Sequence, residues 1–237
     1  MSLEFTSFPK VPRLVKPMVL TEKIDGTNGQ IVFINQEDIT SEQDQVRADK
    51  FSIKVLDFGR EKVYVLAGSR NKYLKVTDDN FRFAHWVHSY AQELFDALGE
   101  GRHYGEWFGK RIQRGYGLDA QYFALFNVGR YGYYGYCPKA EDFYGVPGLT
   151  VVPTLYQGEF NLGTVEAVHA DLMETGSRAA AGFDRPEGVM VFHEAARQLF
   201  KYTGDNSPKS LRETPGKTGN TPWENVLIYM PDSQEKP

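Results

Sequence analysis

The sequence predicts an α+β domain built on antiparallel sheets. Three observations point there. Short apolar runs of strand length recur from Met18 to Tyr202, several of them alternating. Only two stretches, 79–98 and 161–174, carry apolar residues at helical spacing. Glycines and prolines separate the runs, with one Asp–Gly pair at Asp25-Gly26. Many strands with two inserted helices is the pattern of an α+β fold, not of alternating strand–helix units.

Taken in order, the lead-in is broken by Pro9, Pro12 and Pro17, which block helix and leave room for one edge strand. Met18-Val19-Leu20 and Ile31-Val32-Phe33-Ile34 then read as the two strands of a hairpin. Between them lies Thr21-Glu22-Lys23-Ile24-Asp25-Gly26-Thr27-Asn28-Gly29, with glycines where φ is positive or a ligand comes close. Residues 35–50 are polar and read as a mobile loop. Phe51 to Leu56 and Lys62 to Ala67 form two more strands around the turn Asp57-Phe58-Gly59-Arg60. A basic loop, Gly68 to Lys72, leads into one amphipathic helix over 79–98. Phe83, Trp86, Val87, Tyr90, Leu94 and Phe95 lie on its apolar face and Gly99 ends it.

A strand follows over Arg102 to Trp107, then a Gly- and Arg-rich loop to Leu118, then a strand over Gln121 to Val128. The tyrosines of 129–136 suit a hairpin or aromatic ladder better than a base-stacking platform. Leu149 to Val152 is a short strand. Residues 161–174 form the second helix, with Asn161 as its cap. Gly188 to His193 and Arg197 to Tyr202 pair as strands. The domain therefore spans 1–205. A polar tail, 206–237, docks partly, through Trp223 and Val226 to Met230.

Composition narrows the function. Apolar content of 41% and charged content of 24% are those of a globular protein. The net charge of −4 argues against broad coating of nucleic acid but leaves room for a local basic groove. The single Cys137 forms no intrachain disulfide and suits a reducing cytoplasm, the expected location. No run is long enough to span a membrane, and the N-terminus lacks the regions of a signal peptide. His85 and His88 are three apart on the first helix, but no third ligand is in view and a packing or solvated role fits better.

Lys23 is the residue on which chemistry turns. At the end of a strand, beside a glycine-bearing connection, a lysine can sit at the floor of a pocket. There desolvation or a nearby cation disfavours its charged form and frees the amine to attack. Taken alone, it reads better as a surface lysine before an ordinary turn, and only the rest of the chain reverses this. Lys201 ends the apolar pair Leu199-Phe200 and is placed to reach the same pocket. Glu106 and Glu187 are carboxylates at strand ends, able to hold Mg²⁺ (or Mn²⁺) directly or through water.

The ordered set of Lys23-Ile24-Asp25-Gly26, Tyr104-Gly105-Glu106, Phe123 to Phe126, Glu187-Gly188 and Phe200-Lys201 resembles the covalent nucleotidyltransferases. These are the ATP-dependent RNA and DNA ligases and the mRNA capping enzymes, and Glu22 to Asn28 looks most like the RNA-ligase branch. The resemblance implies two antiparallel sheets flanked by helices, with the nucleotide between the sheets. It implies ATP and Mg²⁺ as cofactors and Lys23 as the nucleophile that becomes lysyl-AMP, with Asp25 and Lys201 also catalytic. Nucleotide contacts fall to Glu22, Asn28, Arg70, Glu106, Phe126, Glu187 and Lys201, and metal contacts to Glu187 and Glu106.

The chain departs from those relatives in three ways. Tyr202-Thr203 follows Lys201 where many relatives carry a second lysine. Asp25 is the residue of DNA ligases, yet Asn28 stands where they place arginine. Too little chain follows Lys201 for an OB-fold domain, so an accessory domain or protein acting in trans is a possible partner. The expected activity is sealing of 3′-OH and 5′-phosphate ends, RNA ahead of DNA, with Arg70 to Lys75 and Lys110 to Arg114 as candidates for phosphate contacts. A minimal DNA ligase, a guanylyltransferase, or a nucleotide- or RNA-binding protein without sealing activity are the alternatives.

Overall fold

The computed structural model describes residues 5, 7–8, 10–79, 81–132 and 145–203. The tail expected at 206–237 and Cys137 lie outside them.

Two sheets carry the fold. Strands β1 (Pro17–Lys23), β9 (Thr154–Glu159), β10 (Gly188–His193) and β11 (Gln198–Thr203) form an antiparallel sheet in the order β11-β10-β1-β9. The larger sheet has seven strands: β2 (Thr27–Asn35), β3 (Lys54–Asp57), β4 (Lys62–Ser69), β5 (Tyr73–Leu74), β6 (Gly101–Gly109), β7 (Gln121–Leu125) and β8 (Leu149–Val151). Its order is β3-β4-β2-β6-β7-β8, with β5 beside β4. Its pairings are antiparallel except β7 with β8, which run parallel.

The expected hairpin around Lys23 is therefore a crossing. β1 and β2 belong to different sheets, and residues 24–26 carry the chain from one to the other. Their glycines are needed for close packing, since neither Gly26 nor Gly29 has positive φ. A Cβ on Gly26 would stand 2.4 Å from the Trp107 carbonyl oxygen. One on Gly29 would stand 2.8 Å from the Phe83 ring. A side chain on Gly26 would push the crossing off β6, and one on Gly29 would push α2 off the large sheet.

The helices correct the sequence reading in three places. Residues 35–50 are not a loop: a 3₁₀ turn (Gln36–Asp38) precedes α1 (Glu42–Phe51). Ser41 caps α1, its Oγ accepting from the Asp44 N–H at 3.0 Å. Only Ala48 of this helix is buried, so it has no apolar stripe to betray it. The expected single helix over 79–98 is two, α2 (Phe83–Ser89) and α3 (Ala91–Leu98). Tyr90, at φ −109° and ψ 25°, breaks it. After β7 the chain makes a one-turn helix, α4 (Val128–Tyr131), where a tyrosine hairpin was expected. α5 (Leu162–Thr175) is capped by Asn161 as expected, its side chain accepting from the Thr164 N–H.

Three apolar clusters hold these layers. α2 and α3 close the large sheet through Phe83, Val87 and Leu94 against Ile31, Phe33 and Val65. α5 closes the small sheet through Val165 and Leu172 against Met18, Leu20, Val189 and Val191. The third cluster includes Ile24, Phe108, Tyr116, Ala180 and Phe183, and so starts from the residue next to Lys23. Each fully buried large side chain is worth about 2 kcal/mol, so the crossing is well anchored. No helix among the described residues is long and apolar enough to cross a membrane.

Candidate active site

Strand parity decides which way each functional side chain points. Along β1, Met18 and Leu20 face α5, so Glu22 shares their face and Lys23 takes the other. Lys23 stands opposite Gly188, and Glu187 immediately precedes β10. The two meet: Lys23 Nζ lies 2.5 Å from Glu187 Oε2, with side chains 24% and 22% exposed. The pair is sheltered but open to a ligand.

Glu106 approaches from the large sheet. On β6 it stands opposite Asn28 of β2. Its Oε2 accepts from Asn28 Nδ2 at 2.7 Å and its Oε1 from the Gly26 N–H at 3.1 Å. The carboxyl is 8% exposed. Burial pushes it up to about 7, against the pull of the Lys23 charge and of the Asn28 and Gly26 hydrogen bonds. Glu187's negative charge adds to the rise. Glu106 therefore changes charge near neutral pH.

Asp25 is held rather than free. Arg114 Nε donates to its Oδ2 at 2.9 Å, and its backbone N–H donates to Tyr116 Oη at 2.7 Å. Arg114 was expected among the phosphate-holding residues of 110–114. Its side chain is 40% exposed yet engaged, and its NH1 also donates to the Arg185 and Pro186 carbonyls at 2.8 and 3.2 Å. Lys110 and Arg111 remain exposed.

The other expected residues surround this centre. The β2–β4 register pairs Gly29 with Ser69, and Arg70 follows, exposed, just past the end of β4. Phe126 is half-buried at the edge of the cluster that holds Ile24. Lys201 pairs with Met190, and Met190 with Thr21, so Lys201 lies on the Lys23 face of the small sheet and is exposed. Thr203, opposite Gly188, occupies the row of Lys23 itself.

Glu22, expected at the nucleotide, is 1% exposed, and its carboxylate is closed by three donors from one loop. Ser177 Oγ donates at 2.6 Å, the Arg178 N–H at 2.7 Å and the Ala179 N–H at 2.9 Å. The sequence reading also missed Ser177 and Tyr116. A serine after Gly176 and a tyrosine between Gly115 and Gly117 carry no periodic signal; only the Gly/Arg character of the second loop marked it.

Among the described residues no three His, Cys, Asp or Glu side chains cluster as a metal cage. A Mg²⁺-type ion does not need one. It binds one or two carboxylates and completes its shell with water and substrate phosphate, which suits Glu187 and Glu106 on either side of Lys23.

Solved structures share this architecture. One is an apo lysine-to-alanine mutant of Naegleria gruberi RNA ligase, 17% identical, with a TM-score of 0.50 over 80% of this chain and 50% of that one. Another is an arginine-to-alanine mutant of the same ligase with ATP and Mn, 17% identical, TM-score 0.50, over 82% of this chain and 51% of that one. At that identity the likeness is one of fold, the nucleotidyltransferase fold of two sheets and flanking helices. The chain spans about half the length of these structures. No curated protein matches it. The RNA ligase family model matches residues 16–203, from the start of β1 to the end of β11 and across every site residue above. The chain belongs to the RNA ligase family.

Proposed function

We propose that the protein is an ATP-dependent RNA ligase that works through a lysyl-AMP intermediate. The supporting observation is the convergence on Lys23 of Glu187 from one sheet and Glu106 from the other. ATP and Mn accompany the Naegleria gruberi ligase in its solved structures, which supports the same pair here.

Lys23 Nζ attacks the α-phosphorus of ATP, a nitrogen–phosphorus bond forms and pyrophosphate departs. The attack needs an uncharged amine, and Glu187, in contact with Nζ, is the nearest acceptor for its proton. Asn28 and the Gly26 N–H fix the Glu106 carboxyl toward the nucleotide ribose, with Arg70 following β4 and Phe126 available to the adenine face. Lys201 approaches the α-phosphate from the Lys23 face of the small sheet. A divalent ion held by Glu187 and Glu106 supplies charge neutralisation for the phosphates. The AMP passes next to a 5′-phosphate end, and a 3′-OH then displaces it to seal the strand. Exposed Arg70, Lys110 and Arg111 carry the charge to hold that end. Residues 1–205 form the catalytic unit, acting alone or with a domain supplied in trans, and the setting is the cytoplasm.

The test is transfer of α-labelled phosphate from ATP to the protein with Mg²⁺. Lys23→Ala is expected to abolish label. Lys23→Arg is expected to do the same, because guanidinium stays protonated and cannot attack. Label surviving either substitution removes Lys23 as nucleophile. Nicked RNA, DNA and hybrid duplexes then separate an RNA ligase from a minimal DNA ligase, and label from GTP would identify a guanylyltransferase.

A further inference from the structure

We propose that Arg114 is a positioning residue that locks the Lys23 segment to the Glu187 segment. The inference rests on the proposed function for its meaning but not for its geometry. One guanidinium joins two strand ends far apart in sequence. Nε binds the Asp25 carboxylate at 2.9 Å, and NH1 binds the carbonyls of Arg185 and Pro186, the two residues just before Glu187. Tyr116, two residues on, ties the same segment again through the Asp25 N–H. The amine and the carboxylate that must meet lie two residues from Asp25 on one side and one residue from Pro186 on the other.

The loop that carries Arg114 is held in a conformation it would not choose. Arg111, Gln113 and Tyr116 have φ of 64°, 43° and 53°, in the left-handed region that non-glycine residues seldom enter. Such strain persists only where the surroundings over-determine it. Ile112 is fully buried, and the Tyr116 ring packs 4.5 Å from Phe183 and 5.4 Å from Phe108, centroid to centroid. These anchors hold Arg114 in reach of Asp25 and of the Arg185 and Pro186 carbonyls. Arginine suits the task because its planar fork serves a carboxylate and carbonyls together, which a lysine ammonium on a flexible stem does not.

The experiment compares the wild type with Arg114→Ala and Arg114→Lys in two assays. The first is single-turnover labelling by ATP. Arg114→Ala should slow label formation at saturating ATP by about tenfold or more, with little change in the ATP concentration for half-maximal rate, as expected for lost alignment. Added guanidinium ion should restore part of the rate to the alanine variant, and lysine should not replace arginine. The second assay needs no ligase activity: acetylation of Lys23 by acetic anhydride, read by mass spectrometry against exposed Lys62. Lys23 reactivity should rise in both variants while Lys62 stays constant. Unchanged Lys23 reactivity, or a labelling rate within about twofold of wild type, overturns the clamp. A wild-type protein that takes no label sinks the ligase reading instead, and the clamp is then judged on acetylation alone.

Discussion

Glu22 and Glu106 are both buried glutamates beside the same short crossing, and they behave in opposite ways. Glu22 lies on the α5 face of β1 and spends its carboxylate on three donors of the 177–179 loop. Glu106 lies on the cleft side and has two donors, both from the segment that follows Lys23. Burial raises both carboxyls above the ordinary range, against their hydrogen bonds. A perturbed carboxyl therefore does not by itself mark a reactive one. The partners differ: Glu22 latches β1 to the 177–179 loop, and Glu106 ties β6 to the segment that follows Lys23.

The largest expected effect tests the latch. Glu22→Ala removes the acceptor of two backbone N–H groups and a hydroxyl in a closed site. Leaving them unpaired should cost about 4 kcal/mol of stability in urea unfolding. Glu22→Gln keeps one acceptor oxygen and should cost about half as much. If Glu22→Ala unfolds like the wild type yet no longer takes label from ATP, Glu22 is a nucleotide contact after all and the contrast collapses.

The next effect separates the two glutamates by pH. For Glu106 the folded state keeps its proton up to about 7, whereas the unfolded chain loses it near 4.5. Over that window the folded state binds more protons, so stability falls as pH rises, by about 3 kcal/mol in all. His103 runs the other way. Burial, with the Arg130 charge, lowers it to about 4 from 6.5, so its contribution is lost as pH falls through that range. It is held neutral between Tyr131 Oη at 2.6 Å and the Gly99 carbonyl at 3.0 Å. The wild-type slopes from these two groups oppose each other between 4.5 and 6.5. Glu106→Gln should remove one slope and expose the other. Relative to wild type, the variant should gain about 3 kcal/mol on going from pH 4.5 to pH 8 in urea unfolding. Equal pH dependence in the two proteins would mean that Glu106 is charged throughout and no different in kind from an ordinary surface carboxylate.

What the sequence could and could not show follows from the same geometry. Strands with an apolar face were legible: β4, β6, β10 and β11 lie close to where alternation puts them, and Asn161 capped α5 as its position suggested. α1 was invisible because it buries only Ala48, although Ser41 and Asp44 are a readable cap. The separation of β1 from β2 was hidden because glycines that permit a turn are the same residues that permit close packing. Gly26 and Gly29 do the second. Lys23, Glu106, Glu187 and Lys201 were marked by their order along the chain, and the structure gathers the first three around one point. Arg114 was marked only as a phosphate contact and Ser177 not at all, since each works by reaching a residue 89 or 155 positions away. Pairings at that separation leave no local pattern.

The smallest effect sharpens the latch itself. Ser177 Oγ donates to Glu22 and accepts from the Ala179 and Ala180 N–H groups at 3.0 and 3.1 Å, so it is the hinge of the loop that closes over the carboxylate. Ser177→Ala leaves Glu22 two backbone donors and should cost about 1 kcal/mol, well below the loss of the glutamate. The cost should also depend on pH, with a fixed sign. The serine hydrogen bond holds the Glu22 carboxyl down, so removing it raises that group further and penalises the charged form more. The folded variant then keeps its proton to higher pH than the wild type, and the deficit is larger at alkaline than at acid pH. Urea unfolding at pH 5 and pH 8 reads that difference directly. A deficit that shrinks as pH rises would mean that Glu22 is neutral in the closed loop, with the serine accepting its proton.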